Sequence, residues 1–442
     1  MKNLLIIAYY FPPSGGPGVQ RVLKHTQYLS EFGYNPIILT VENGQFPAKD
    51  ETLLKKIPEN ILVYRTKIYE PYDLYRMFTG KEKGAAVDVN VIHKDGAKLK
   101  GSEVIAEFIR STFFIPDARI GWLLTAKSKA LELVEKYNIE AVYSSSPPYT
   151  CSLIARYVKR KKNIPWIAGF RDPWTDFIST PKRWFLPKLI DKAMEHSVFK
   201  EADYVEVAWE GISKDALSKY PDLNESKFIH IPNGFDSNDF TIATYPKSSK
   251  FILTYTGSMY GRRNPEALFK AFNLLINNGE ININDFQINF IGRFGNEIYQ
   301  MIDNSGFKES INIIHYLPHS ESIKELQKAD VLLLIVDESK ESEEIVPGKV
   351  YEYMGIKKPI LAIAPLNSAI HKLLTETNTG LLAHQSDIGA IATNIKEYFE
   401  KWKNNLPLYS PQLSLINKYE RKNAAKELAN LLNQTLKNEY RL

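Results

Sequence analysis

One cysteine stands in 442 residues. Cys151 alone excludes an intrachain disulfide and any cysteine-built metal cluster, and this fits a reducing compartment, so a cytoplasmic location is expected. Nothing around it signals an activated thiol; it reads as a small buried side chain. The eight histidines show no metal-ligand spacing, and no protein-built metal site is predicted. Long apolar runs are missing: none approaches the ~18–20 residues a membrane span needs. The apolar start, Met1 to Ala8, is too short for a signal peptide. It runs into Pro12-Pro13 and lacks a small-residue cleavage site, so a buried strand over 4–9 is predicted instead. Charge of one sign is scarce as well. Lys and Arg number 56 against 51 Asp and Glu, a balance that permits an anionic small molecule or a membrane surface and does not argue for nucleic acid. The run Lys159-Arg160-Lys161-Lys162 reads as a solvated helix end or as a lipid-facing patch.

What the chain does have is alternation. Its hydrophobic content of 44% is that of a globular protein, and its length exceeds what one core serves, so two domains are expected. The strand over 4–9 is followed by Pro12-Pro13-Ser14-Gly15-Gly16-Pro17-Gly18, a helix to about Phe32 and a strand over 36–40. Further strands are predicted over 61–64, 141–145, 165–170, 203–207 and 228–231, with helices over 123–137, 150–161, 186–199 and 212–219. Residues 80–100 read as a surface excursion. Gly15 and Gly16 place backbone N–H groups at a helix start, where an anion binds, or simply make a tight crossover; both readings stay open. Phe113, Phe114 and Trp122 read as core or as an acceptor or lipid contact. Arg171-Asp172, at the end of a strand, is a polar centre or a structural ion pair.

A polar stretch over 237–250 reads as the linker, and the pattern then restarts. A strand over 251–256 enters Gly257-Ser258-Met259-Tyr260-Gly261-Arg262-Arg263 and a helix over 266–277. Arginines on a glycine turn at a helix start suit a diphosphate. Strands over 286–291 and 311–314 end in Gly292-Arg293 and His315-Tyr316. After a helix over 319–328 and a strand over 329–336 comes Glu344-Ile345-Val346-Pro347-Gly348-Lys349-Val350-Tyr351-Glu352. Pro347 suits a first helical turn, Gly348 permits close backbone approach, and Lys349 adds a mobile cation to the positive end of the helix. Glu352 is placed to accept two vicinal hydroxyls of a ribose and Glu344 to reach a second polyol, or both are simply solvated glutamates of a strand–loop–helix unit; on spacing alone both readings stay open. A strand over 359–363, a helix over 367–374 and helices near 387–402 and 411–437 close the chain. The fold class expected is α/β, with two doubly wound Rossmann-like domains facing a central cleft.

With these residues in place the chain resembles a retaining glycosyltransferase of the two-Rossmann-domain GT-B fold. It is similar to the nucleotide-sugar-dependent group 1 transferases that include bacterial polysaccharide and lipopolysaccharide enzymes. The resemblance rests on Gly15 to Gly18, on Ile231 to Asp236, on Tyr255 to Ser258 and above all on Glu344 to Glu352 with Lys349. It implies an acceptor-side domain over 1–240, a nucleotide-sugar domain over 241–408 and a C-terminal helix, 409–442, crossing back to the first domain. It further implies a donor that is a UDP- or GDP-sugar, no required cofactor, and a saccharide or polyprenyl-linked acceptor. Peripheral contact with the inner membrane surface goes with such an acceptor.

On this resemblance Glu352 binds ribose hydroxyls, Glu344 binds the donor sugar, and the diphosphate lies on the Gly257 turn with Ser258, Arg262, Arg263, Lys349, Pro347 and Gly348. Gly292, Arg293 and Tyr316 join the nucleotide site, and Gly15 and Gly16 the diphosphate or sugar. The family places a basic residue just after the glycine of that turn; here Ser258 stands there, so Arg262 or Arg263 is expected to pair with Lys349. Many members carry a histidine at the end of the fourth strand. This chain has serines and prolines, and Asp172 is the candidate for that polar role. Two other classes remain compatible: a nucleotide-sugar epimerase or hydrolase, which needs no acceptor, and a non-catalytic sugar-nucleotide-binding protein.

Overall fold

The computed structural model describes residues 1–46, 48–69, 108–177, 180–240, 245–338 and 343–439; the excursion predicted over 80–100 lies outside them. Two compact units divide the chain, Met1–Pro232 with Arg421–Leu442, and Asn233–Glu420.

The first unit is built on seven parallel strands: β1 (Lys2–Ala8), β2 (Tyr34–Val41), β3 (Leu62–Thr66), β4 (Ala141–Ser146), β5 (Trp166–Phe170), β6 (Tyr204–Val207) and β7 (Phe228–His230). Their order is β3-β2-β1-β4-β5-β6-β7, so the sheet reverses direction of growth at β1 and β4, where Ile7 stands level with Leu39 and Ser144. Helices cover both faces, which is why β1 is apolar from Leu4 onward rather than alternating: Leu4, Leu5, Ile6 and Ile7 are all fully buried. Cys151 lies in the core, and burial pushes its thiol up to about 12. The aromatics near 113–122 divide. Phe114 and Trp122 are buried, the Trp122 indole donating to Thr66 Oγ1 at 2.8 Å, while Phe113 is exposed.

The second unit has six parallel strands: β8 (Phe251–Thr256), β9 (Phe286–Ile291), β10 (Ile311–Ile314), β11 (Val331–Ile335), β12 (Ile360–Ile363) and β13 (Gly380–Ala383). Their order is β10-β9-β8-β11-β12-β13, with the reversal at β8 and β11. Strand β13 and the helix Asn296–Asp303 were not expected from the sequence. β13 is four residues long, sits at the sheet edge beside β12 alone and begins on a glycine. An added Cβ on Gly380 would lie 2.2 Å from the Ile360 carbonyl oxygen. Such a strand carries little apolar periodicity to read.

The single helix predicted over 411–437 is corrected. A short turn of helix, Leu413–Ile416, is followed by extended backbone at Glu420, and a new helix spans Arg421–Glu439. The break forms because Tyr419 and Glu420 pair with another segment: Phe235 donates its N–H to the Tyr419 carbonyl at 3.0 Å, and Ser237 bonds the Glu420 carboxylate. The last helix belongs to the first unit, where Ala425, Leu428 and Leu432 pack with Leu4, Ile6 and Leu23. Among the described residues no helix is long and apolar enough to cross a membrane.

Candidate functional site

The carboxyl ends of β8, β9 and β10 are tied together by backbone. Gly257, at the end of β8, donates its N–H to Ile291 O at 2.9 Å; Gly292 donates to Ile314 O at 2.9 Å; Met259 N–H reaches Arg293 O at 3.1 Å. Gly257 and Gly292 both have positive φ, 118° and 147°. A Cβ on Gly292 would lie 2.1 Å from the Gly257 carbonyl oxygen. Only glycine lets these two turns meet.

Onto this platform the helix Gly348–Ile356 is stapled. Tyr353, one turn in, takes part in a 3.2 Å hydrogen bond with Thr256 Oγ1 and donates to Leu333 O at 3.3 Å, linking the helix to β8 and β11. Pro347 stands at the N-cap with extended backbone and no side chain caps the helix. Space beside Gly348 is open: a Cβ there would meet nothing within 4 Å. Lys349 turns back over the Gly257 turn. Its ammonium donates to Thr256 O at 2.9 Å and to Tyr255 Oη at 3.1 Å, and lies 4.2 Å from the Tyr255 ring centre. Burial of the ammonium, reinforced by the Arg263 charge and only partly opposed by Glu352, lowers its pKa to about 7. The residue as a whole keeps partial exposure.

The two arginines of the turn part company. Arg263 is the one whose charge reaches Lys349; it is paired with Asp337 at 2.9 Å, and its buried Nε has no hydrogen-bond partner. Arg262 is exposed and lines a separate open hollow of about 410 Å³ with Glu266, Lys270 and Gln385. Ser258 is exposed, and its carbonyl accepts from the Tyr255 hydroxyl at 3.0 Å. Arg293 lies 5.3 Å from the ring centre of Tyr316, which is more than half exposed, so the ends of β9 and β10 present a cation stacked on an accessible aromatic face.

Glu352 does not stand free. Its Oε1 is 2.9 Å from His319 Nε2, on the first residue of the helix His319–Lys328. Glu344 is exposed, and no described contact joins it to Lys349 or Glu352. The structure therefore gathers Gly257, Gly292, Arg263, Lys349 and Glu352, with Arg293 and Tyr316 at the border, and leaves Arg262 and Glu344 apart from them.

In the first unit, Gly16 has φ 91° and opens the helix Pro17–Tyr28; Gly15 donates its N–H to Ala48 O at 2.9 Å. Asp172 follows β5. Burial raises its carboxyl pKa, with the Arg171 charge working against the rise. The Arg171 guanidinium bonds the Ser145 hydroxyl and the Pro147 carbonyl rather than Asp172. Arg171 also lies within 3.6 Å of where a Gly18 Cβ would stand, so the glycine loop, the end of β4 and Arg171 form one polar surface.

Asp337 and His319 were not singled out from the sequence, and Tyr255 and Thr256 entered only as part of the Tyr255 to Ser258 motif, with no role assigned to either. His319 carried a usable signal: it follows Tyr316-Leu317-Pro318 at the carboxyl end of a parallel strand, where ligands of open α/β sheets gather. Tyr255 and Thr256 are strand residues, and nothing in the sequence pointed to their contacts with Lys349.

Residues 238–409 match the family model for glycosyl transferases group 1. No curated protein matches the chain. Among solved structures, a glycosyltransferase from Rickettsia africae ESF-5 is similar over 99% of both chains at 16% identity and a TM-score of 0.61. HepE of Anabaena, solved with UDP and glucose, is similar over 98% of this chain and 99% of its own at 12% identity and a TM-score of 0.59. TarM of S. aureus, in complex with fondaparinux, alpha-GlcNAc-glycerol and UDP, is similar over 98% and 100% at 11% identity and a TM-score of 0.57. Likeness at these identities establishes the fold: two Rossmann-like domains of the GT-B type, the residues that match the group 1 model lying in the second.

Proposed function

We propose that the chain is a retaining glycosyltransferase. It moves a sugar from a UDP- or GDP-sugar to a hydroxyl of a saccharide or polyprenyl-linked acceptor in cell-surface polysaccharide synthesis, in the cytoplasm and in peripheral contact with the membrane. The observation that carries this reading is the Lys349 ammonium, held on the Gly257 turn by Thr256 O and Tyr255 with Arg263 beside it, inside the segment that matches group 1 glycosyltransferases. The complexes of HepE and TarM with UDP support a uridine nucleotide as donor.

In this reading Lys349 and Arg263 neutralise the diphosphate, with the first N–H groups of the helix after Pro347 and the backbone of Gly257, Ser258 and Gly292. Glu352, oriented by His319, accepts the ribose hydroxyls through its second oxygen. Tyr316 and Arg293 flank the base. Glu344 contacts the donor sugar, Arg262 adds a long-range positive field, Gly15 and Gly16 serve the diphosphate or sugar, and Asp172 takes the polar catalytic role at the end of its strand. The bond from the anomeric carbon to the phosphate oxygen breaks as its bond to the acceptor oxygen forms on the same face, and the leaving phosphate takes the acceptor proton. Lys349 and Arg263 stabilise the charge that builds on that phosphate.

A thermal-shift screen of UDP-, GDP- and ADP-sugars on the purified protein tests the donor; a raised melting temperature with one class is expected. Glu352→Gln is expected to weaken that donor by about tenfold to a hundredfold, since hydrogen bonds to a charged group contribute about 1.5–3 kcal/mol. Nucleoside diphosphate released at full rate without acceptor would point to a hydrolase instead.

The Lys349 ammonium also sets a pH dependence. With a pKa lowered to about 7, the side chain is charged below that pH and loses its proton above it. Affinity for UDP is expected to fall as pH rises from 6.5 to 8.5, by at most about tenfold per unit, until the pKa of the bound state is passed. In Lys349→Arg, charged throughout this range, the slope disappears. Titration calorimetry across those pH values reads it, and an equal slope in both proteins would remove Lys349 from the anion site.

A further inference from the structure

The helix Phe185–Glu201 is inside out over its first turns. At about 100° per residue, Phe185, Leu186, Leu189 and Ile190 share one face, and that face points to solvent: their exposures are 79%, 48%, 55% and 40%. The opposite face, which is buried, carries carboxylates. Asp191 accepts from the Trp174 indole at 2.8 Å and pairs with Arg183 at 2.7 Å. Glu195 accepts from Thr175 N at 3.0 Å and from the Tyr220 hydroxyl at 2.7 Å. A helix normally buries its apolar stripe. Here the inner side is satisfied by hydrogen bonds and the apolar stripe is left over, so it has a use outside the unit.

The patch extends beyond the helix. Trp184, just before it, is 46% exposed and donates its indole N–H to Thr112 Oγ1 at 2.9 Å; the next residue along, Phe113, is 68% exposed. Trp184 is thus anchored through its indole N–H while about half of the residue stays exposed, the arrangement tryptophan adopts at a membrane–water boundary. The border is basic. Lys182 and Lys188 are exposed along it and Lys192 is half-buried beside them, and Lys188 and Lys192 share Asp176 at 2.9 and 3.1 Å. The exposed charges of 176–192 therefore stay net positive, while Arg183 and Asp191 cancel inside.

We propose that this face, centred on Trp184, Phe185, Leu186, Leu189 and Ile190 with Phe113 beside it, is the surface on which the protein docks to an anionic lipid bilayer. The apolar side chains enter the headgroup boundary, and the lysine border meets the negative leaflet. The inference rests on the peripheral placement proposed above and deepens it by naming the contact. A polybasic run alone would bind and release with salt; an apolar stripe alone would self-associate. The two together on one surface match a lipid interface.

The test is sedimentation of the full chain with vesicles of phosphatidylcholine, with and without about 30 mol% phosphatidylglycerol. Binding is expected to the anionic vesicles and to weaken with added salt. The double variant Phe185→Asp with Leu189→Asp is expected to lose at least about tenfold in partitioning, with the melting temperature of the parent protein, because both side chains are solvent-exposed. Brominated lipid is expected to quench tryptophan fluorescence in the parent and less in Trp184→Phe. The proposal is overturned if the parent ignores anionic vesicles or if the double variant binds undiminished. It is also overturned if the parent forms a dimer in lipid-free buffer that the double variant disperses, which would make a second copy the occupant. The read-out needs no sugar donor, so its failure and a failure of the nucleotide site are separate results.

Discussion

Lys349→Ala is expected to lower kcat/KM for sugar transfer by about 10²–10³-fold, the range seen when one preorganised electrostatic contact to a developing anion is removed. The ammonium makes two hydrogen bonds to β8 and rests over the Tyr255 ring, so it is held before a ligand arrives. That pre-positioning is what makes the loss fall on kcat as well as on donor affinity. Alanine removes the charge, and water fills the partly open space. The melting temperature should move little, since relief of a buried positive charge near Arg263 offsets the lost hydrogen bonds. Lys349→Arg keeps the charge but places a planar fork where a compact ammonium sat, and partial activity is expected. Steady-state kinetics with the donor found by thermal shift, alongside a melting curve, measures both. Unchanged turnover in Lys349→Ala would remove the site.

The second large effect lies in the first unit and falls on stability. Arg21, on the helix after the glycine loop, is 3% exposed and Glu206, on β6, 1%. The guanidinium Nε donates to Glu206 Oε1 at 3.2 Å, and its other nitrogens donate to Ile231 O at 2.6 Å and Pro232 O at 3.2 Å. Tyr143 donates to the second Glu206 oxygen at 2.5 Å. Burial alone would raise the Glu206 pKa; the Arg21 charge, His25 beside it and the hydrogen bonds from Tyr143 and Arg21 together outweigh it, so the carboxyl is held below its usual value.

Arg21→Ala leaves that carboxylate in an apolar interior, and a loss of about 3–5 kcal/mol is expected. The sign of its pH dependence follows. In the parent the depressed pKa contributes stability above the unfolded-state value, and this is lost as pH falls through the folded-state value. In the variant burial is no longer opposed by the Arg21 charge, the pKa rises even with the Tyr143 hydrogen bond in place, and Glu206 takes up a proton already in mild acid. The difference between the two proteins should shrink from pH 7 to pH 5. Urea midpoints at the two pH values test this, and a constant difference would contradict it. Replacing both partners with apolar residues, Arg21→Met with Glu206→Leu, should recover much of the loss.

His25, beside this pair, is buried with both ring nitrogens lacking a hydrogen-bond partner, and burial lowers its pKa to about 3. It is neutral across the physiological range, and its packing against Tyr143 at 5.7 Å is what it contributes.

The alternation of strands and helices was legible because it is a local property. Apolar runs such as Leu4 to Ile7, glycines that permit positive φ and a proline at a helix start act over a few residues. The same logic located the Gly257 turn, the Gly292 turn and the helix after Pro347. It failed at β13, where pairing with β12 rather than side-chain pattern makes the strand, and at Glu420, where a partner segment pulls the chain out of a helix that its sequence would continue.

The pairings at the site were beyond its reach. Lys349 meets Thr256 across 93 positions and Glu352 meets His319 across 33. The strand order sets these neighbours: β8 lies beside β11 and β9, not in sequence order. That order puts Arg263 rather than Arg262 beside the ammonium. It gives Glu352 a histidine, and it turns the carboxylates of the helix Phe185–Glu201 inward and its phenylalanine and leucines out. The sequence by itself determined which segments are strands, turns and helices, since backbone sterics and apolar periodicity are written residue by residue. The tertiary structure alone decided which charges face one another, since Coulomb interaction, burial and hydrogen bonding depend on distance in space, and distance along the chain does not supply it.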